Sequence, residues 1–105
     1  MLSLSRSDRI APKAVRDNFR YFLKLVSEGL GGKGLEDETI SWADKIARGE
    51  PVTYAQIAKG YRWWARNKRF LDFEEGTPAS VAAWGWGGKE GMYWYRALYE
   101  MMQDT

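Results

Sequence analysis

The sequence predicts an all-α fold, a compact single domain of about five short helices. Three observations predict it. Apolar residues recur at steps of three and four along most of the chain. Proline, glycine and hydroxyl residues stand where helices begin and end. No segment alternates apolar and polar side chains as a half-buried strand does. A chain of 105 residues makes one domain, residues 1–105, with a single core and little area to spare.

Residues 1–10 read as a flexible N-terminal arm. Pro12, a residue suited to the opening of a helix, starts the first helix, which runs to about Leu30. Val15, Phe19, Phe22, Leu23, Val26 and Leu30 form its buried stripe, and Lys13, Arg16, Arg20 and Lys24 form a basic stripe roughly a third of a turn away. Gly29-Leu-Gly-Gly-Lys-Gly34 ends it and spells GxGxxG. The dinucleotide fingerprint needs a strand before it, so this segment reads as a helix cap and loop. The second helix spans Asp37 to Arg48, with acids in its first turn and Thr39, Trp42, Ala43 and Ile46 inward.

Thr53 and Gln56 are spaced as a capping box, with Val52 and Ile57 as its hydrophobic staple, so a third helix starts at Tyr54 and runs to about Phe70. Tyr54, Ile57, Tyr61, Trp64 and Ala65 face its core side; Lys59, Arg62, Arg66 and Arg69 face away, with Trp63 on or beside them. Asp72 to Gly76 connects to a short fourth helix capped by Thr77, opened by Pro78 and continuing through Val81 and Trp84. Gly85, Gly87 and Gly88 break it. A last helix from about Lys89 carries Gly91, Trp94, Tyr95, Leu98, Met101 and Met102 at helical spacing.

Composition narrows the chemistry. The chain has neither cysteine nor histidine, which removes thiol and imidazole catalysis and the usual ligands of zinc, haem and iron–sulfur clusters. Glu36-Asp37-Glu38 and Glu74-Glu75 lack the alternating oxygen ligands of a calcium loop and read as solvated charge. The expectation is a protein that is not an enzyme and needs no cofactor or metal. No apolar run approaches the roughly 18 residues that cross a bilayer, and Met1 to Ile10 has no signal-peptide core, which points to a cytoplasmic location.

Two short segments hold all but one of the six tryptophans, Lys59 to Phe70 and Trp84 to Arg96. The net charge of only +2 does not announce a nucleic-acid binder, so distribution decides. Lys59, Arg62, Arg66 and Arg69 are spaced to meet successive phosphates, Trp63 or Phe70 offers a face to an unpaired base, and Arg16, Arg20 and Lys24 extend the site if the two helices pack side by side. Ile46 to Phe70 also has the outline of a helix-turn-helix, with Thr53, Ala55, Gln56 and Lys59 placed to read bases. The rival reading is a protein-interaction module using Trp86, Tyr93, Tyr99 and Met102, residue types common in interface hot spots, while Trp84 and Trp94 fill the core. Nucleic acid stands slightly ahead of protein as the expected partner.

The ordered string of features from Ile10 to Met102 resembles a small module of tailed-bacteriophage proteins, found at the N-terminus of head-maturation protease or other morphogenesis proteins of the XkdF-like kind. The matching pieces are Ala11-Pro12-Lys13-Ala14-Val15-Arg16, the Gly31-Gly32 loop, Ala43 to Gly49, Tyr61-Arg62-Trp63-Trp64-Ala65-Arg66-Asn67, and Ala83-Trp84-Gly85-Trp86-Gly87-Gly88 with Gly91 and Trp94. The chain reads as the module alone, and Asn67 stands where relatives usually carry a histidine, so no protease activity carries over. The resemblance implies a phage origin and a non-catalytic accessory role in the host cytoplasm or on the virion.

Overall fold

The computed structural model describes residues 4–30, 37–72 and 74–103. Among them the regular structure is helical throughout: α1 (Lys13–Ser27), α2 (Asp37–Ala47), α3 (Tyr54–Asn67), α4 (Pro78–Gly85) and α5 (Gly88–Gln103), with 3-10 turns at Ser7–Arg9 and Lys68–Asp72. The GxGxxG loop beyond Leu30, together with Glu36 and the Gly31-Gly32 match, lies outside the described residues. No helix is long and apolar enough to cross a membrane among those residues.

The helices pack in a definite order. α1 lies against α2, α4 and α5, whereas α3 packs chiefly on α5. One core joins them, built on Phe19 and Phe22 of α1, Ile46 of α2, Ile57 of α3, Val81 of α4 and Tyr95 of α5. The start of α3 forms as its sequence predicts. The Thr53 hydroxyl accepts the Gln56 backbone N–H at 3.1 Å, the Gln56 side chain accepts the Thr53 N–H at 3.0 Å, and Val52 and Ile57 are buried beside them. At α4 the Thr77 hydroxyl caps the Ser80 N–H at 3.2 Å, with Pro78 in the first turn.

The N-terminal segment is anchored from Leu4 onward and is not the flexible arm expected there. Leu4 is buried, and its N–H and carbonyl both bond the Tyr54 hydroxyl. Arg9 pairs with Val52 through its backbone carbonyl, which accepts the Val52 N–H at 2.9 Å, and through its guanidinium, which donates to the Val52 carbonyl at 2.9 Å. Tyr54 therefore sits at the rim and clamps the segment with its hydroxyl, where helical spacing placed it in the core.

Other departures follow from where helices stop. α1 ends at Ser27, so Leu30 falls beyond the stripe and is exposed, while Leu25 is buried in its stead. In α5 the buried line runs Tyr95, Leu98, Met102, steps of three and four, which turns Met101 outward. Met102 is thus a core residue and not an interface residue. Ala65 is exposed, and Trp94 is only half-buried.

Trp86 is the largest correction. It was expected on the surface, yet only 7% of it is exposed. Gly87 and Gly88 turn the chain from α4 into α5 with φ of +93° and +65°, a conformation open to glycine, and this corner directs the indole inward. The Trp86 carbonyl accepts the Trp64 indole N–H at 2.9 Å, so the one polar atom of a buried tryptophan is satisfied.

Tyr95 is fully buried in the core, and burial pushes its phenol well above the ordinary 10.0. A raised pKa favours the neutral phenol in the folded state. Its stabilisation is complete below the unfolded value and is lost as pH rises past it. Alkaline titration should therefore show this tyrosine ionising only as helical circular dichroism is lost; a Tyr95→Phe protein should lack that cooperative step.

Candidate nucleic-acid interface

The outer face of α3 is cationic because its sequence leaves acids out. Between Pro51 and Leu71 there is no acidic residue, and there are five basic ones, Lys59, Arg62, Arg66, Lys68 and Arg69. Successive residues advance by about 100°, so burial of Ile57, Gly60 and Trp64 on one side carries Arg62 and Arg66 to the other. Both are exposed, and no described carboxylate comes within ion-pair distance of Arg62, Arg66 or Lys68. Lys59 is committed locally: its ammonium meets Glu38 of α2 at 2.6 Å and lies 5.2 Å from the Trp42 ring centre. Arg69 donates to the Arg66 carbonyl at 3.0 Å, closing the turn after α3.

The basic stripe of α1 does not join this face. Arg20 donates to the carbonyl of Ala47 at the end of α2 at 3.0 Å and pairs with Asp17 at 2.8 Å. Lys13 meets the same carboxylate at 2.7 Å, and that hydrogen bond leads the causes holding Asp17 below the usual carboxylate range. Arg16 is half-buried and donates to the Ala11 carbonyl. Lys24 extends from the stripe without such a commitment among the described residues, and α1 faces α2 where a merged patch needs it to face α3.

Trp63 belongs to an aromatic cluster and is not simply displayed. Its ring stacks on Trp86 at 5.2 Å and 15°, meets Trp64 edge-on at 4.9 Å, and Trp86 in turn meets Trp42 edge-on at 6.3 Å. One face of Trp63 is therefore occupied by protein, and its visible work is to hold α3 against the α4–α5 corner. The side chain of Phe70, the other expected stacking residue, lies outside the described residues.

The helix-turn-helix outline also changes meaning. In such motifs the two helices dock on each other, whereas here α2 packs along α1 and α3 along α5. Gln56 is buried with its carbonyl oxygen holding the Thr53 N–H, so it is turned away from any base edge.

A groove that the sequence did not announce runs between α3 and α5. It has a volume of about 490 Å³, and Tyr61, Trp64 and Lys68 line it from α3 and its following turn, facing Tyr93, Arg96 and Glu100 from α5. Small Ala65 keeps the α3 wall low, and Met92 completes the lining. Tyr61 is fixed by parallel stacking on Tyr99, with ring centres 4.1 Å apart. Tyr99 is accordingly half-buried, while Tyr93 is 52% exposed at the groove. Arg96 pairs with Glu100 at 3.1 Å through Nε. The signal that could have found the groove is the pairing of Tyr61, Ala65 and Lys68 on one helix flank with Tyr93, Arg96 and Glu100 on another, all at steps of three and four.

The acidic connector is more ordered than solvated charge implies. Glu75 accepts the Tyr21 hydroxyl at 2.9 Å and the Trp84 indole N–H at 3.1 Å, and its hydrogen bond raises the Tyr21 phenol above its ordinary value. Among the described residues no group of three or more acidic side chains is arranged to hold a metal ion.

The molecule is thus an all-α domain bearing a cationic helix face beside an aromatic groove. No protein-family model, no curated protein and no solved structure matches it.

Proposed function

We propose that this protein is a non-enzymatic bacteriophage accessory protein, acting in the host cytoplasm or on the virion, that binds nucleic acid through the outer face of α3. The phage assignment rests on the resemblance of the Ile10 to Met102 segment. The binding assignment rests on one observation: Arg62 and Arg66 stand one turn apart on the outer face of α3 without carboxylate partners among the described residues, on a stretch of chain free of acids. Lys13, Arg48 and Arg96, by contrast, each meet a carboxylate four residues away, those of Asp17, Asp44 and Glu100. Cations left together repel one another, and a run of phosphates relieves that repulsion while releasing its own counterions.

The test is fluorescence anisotropy of labelled single-stranded and duplex oligonucleotides at two salt concentrations. Neutralising about three phosphates of a single strand predicts affinity falling roughly 10- to 30-fold between 50 and 200 mM salt. Absence of binding at low salt would remove the reading.

A protein partner is the second reading, and exposed Tyr93 and Met101 favour it. The partner is then a phage morphogenesis protein or a host protein that this chain inhibits, and its binding responds weakly to salt. Of the residues expected at such an interface, Trp86 and Met102 are withdrawn into the core, which leaves Tyr93 and the half-buried Tyr99.

A further inference from the structure

We infer that the α3–α5 groove is a nucleobase subsite, which receives one unpaired base of a single strand whose phosphates lie on the α3 face. The inference rests on the proposed nucleic-acid reading and adds to it the strandedness of the ligand. Four observations carry it. The groove's volume of about 490 Å³ falls in the range of clefts that hold small organic groups. Its aromatic surface is partly committed and partly open: Tyr61 is braced by Tyr99, so its position is set before any ligand arrives, whereas Tyr93 is half-exposed and has no ring stacked on it among the described residues.

Charge then distinguishes the occupant. Lys68 and Arg96 reach the groove from opposite helices, and its acid, Glu100, is taken up by Arg96 Nε, which leaves the terminal nitrogens of that guanidinium to donate elsewhere. An aromatic ring carrying a phosphodiester matches this surface, and an acidic or neutral aromatic side chain of a protein matches half of it. The groove is also continuous with the phosphate face. Helix geometry sets Arg62 about 60° and Arg66 about 100° round α3 from Ala65, the small residue in the groove wall, so a strand following the arginines passes the groove at its lowest edge. A paired base cannot enter without leaving its stack, which makes the site selective for single strands.

The experiment compares a labelled single strand, the same strand with abasic positions, and its duplex, on the wild-type protein and two variants. Tyr93→Ala removes the open ring, and Ala65→Leu fills the groove without removing anything; both positions are exposed, and circular dichroism verifies the fold. The expected result is that the intact strand binds wild type about 10-fold more tightly than the abasic strand. Both variants should erase that preference and leave abasic binding unchanged, while Tyr93→Phe should retain it. Equal binding of intact and abasic strands, or a preference that survives both variants, overturns the base subsite and leaves the cationic face standing. Failure of every polyanion to bind overturns the nucleic-acid reading itself, and the subsite falls with it.

Discussion

Gly91→Ala should destabilise this protein by about 1–3 kcal/mol, although alanine is the better helix former. A Cβ at Gly91 sits 2.7 Å from the Trp86 carbonyl oxygen, well inside van der Waals contact, and the obstacle is backbone. That carbonyl cannot retreat without loss, because it accepts the Trp64 indole N–H and belongs to the residue on which Trp63 stacks. One added methyl thus strains the α4–α5 corner and loosens the tryptophan cluster together. At this domain size the midpoint of thermal unfolding should fall by roughly 4–8 °C per kcal/mol, measured by circular dichroism. Lys89→Ala on the exposed side of the same helix should leave it unchanged. An unaltered midpoint for Gly91→Ala would mean that α4 and α5 approach less closely than described.

Replacing Arg62 and Arg66 together by glutamate should cost at least about 100-fold in affinity for any oligonucleotide at low salt, because two phosphate contacts are lost and two repulsions replace them. Neither side chain has an ion-pair partner among the described residues, so the fold should survive. Lys24→Glu makes the informative control. It changes net charge in the same direction on an exposed stretch of α1 that is packed on α2, and it should change affinity little. If Lys24→Glu weakens binding as much as the double variant does, general attraction rather than the α3 face governs it.

These expectations show what a sequence of this kind makes legible. The capping box at Thr53 and Gln56 was readable because its partners lie three residues apart, and local geometry alone completes it. The same holds for the cationic face of α3, whose spacing needs only the pitch of one helix. Trp86 was misread because periodicity carries no information across Gly87 and Gly88; the direction of that indole depends on a turn, not a helix. Arg20 reads as part of the nucleic-acid site because its partner, the Ala47 carbonyl, is a backbone atom 27 residues away. Leu4 was missed for a similar reason: its anchor, the Tyr54 hydroxyl, is 50 residues distant. The groove is a property of two helices crossing, and neither helix announces it alone.

Stability and the cationic face share one physical basis. Trp42, Trp63, Trp64 and Trp86 lock α3 by its inner side to the rest of the domain, which holds its outer arginines in a fixed row. These tryptophans thus serve mainly to position α3. Tyr93 lies outside the cluster, half-exposed at the α3–α5 groove.

The most direct measurement of that picture is an NMR titration of the isotopically labelled protein with a short single-stranded oligonucleotide, following backbone amides and arginine side-chain signals. Shifts should be confined to Lys59 through Arg69 and to Tyr93 and Arg96 on α5, with α1 and α4 silent. Shifts centred on Arg16, Arg20 and Lys24, or no shifts at all at low salt, would contradict it.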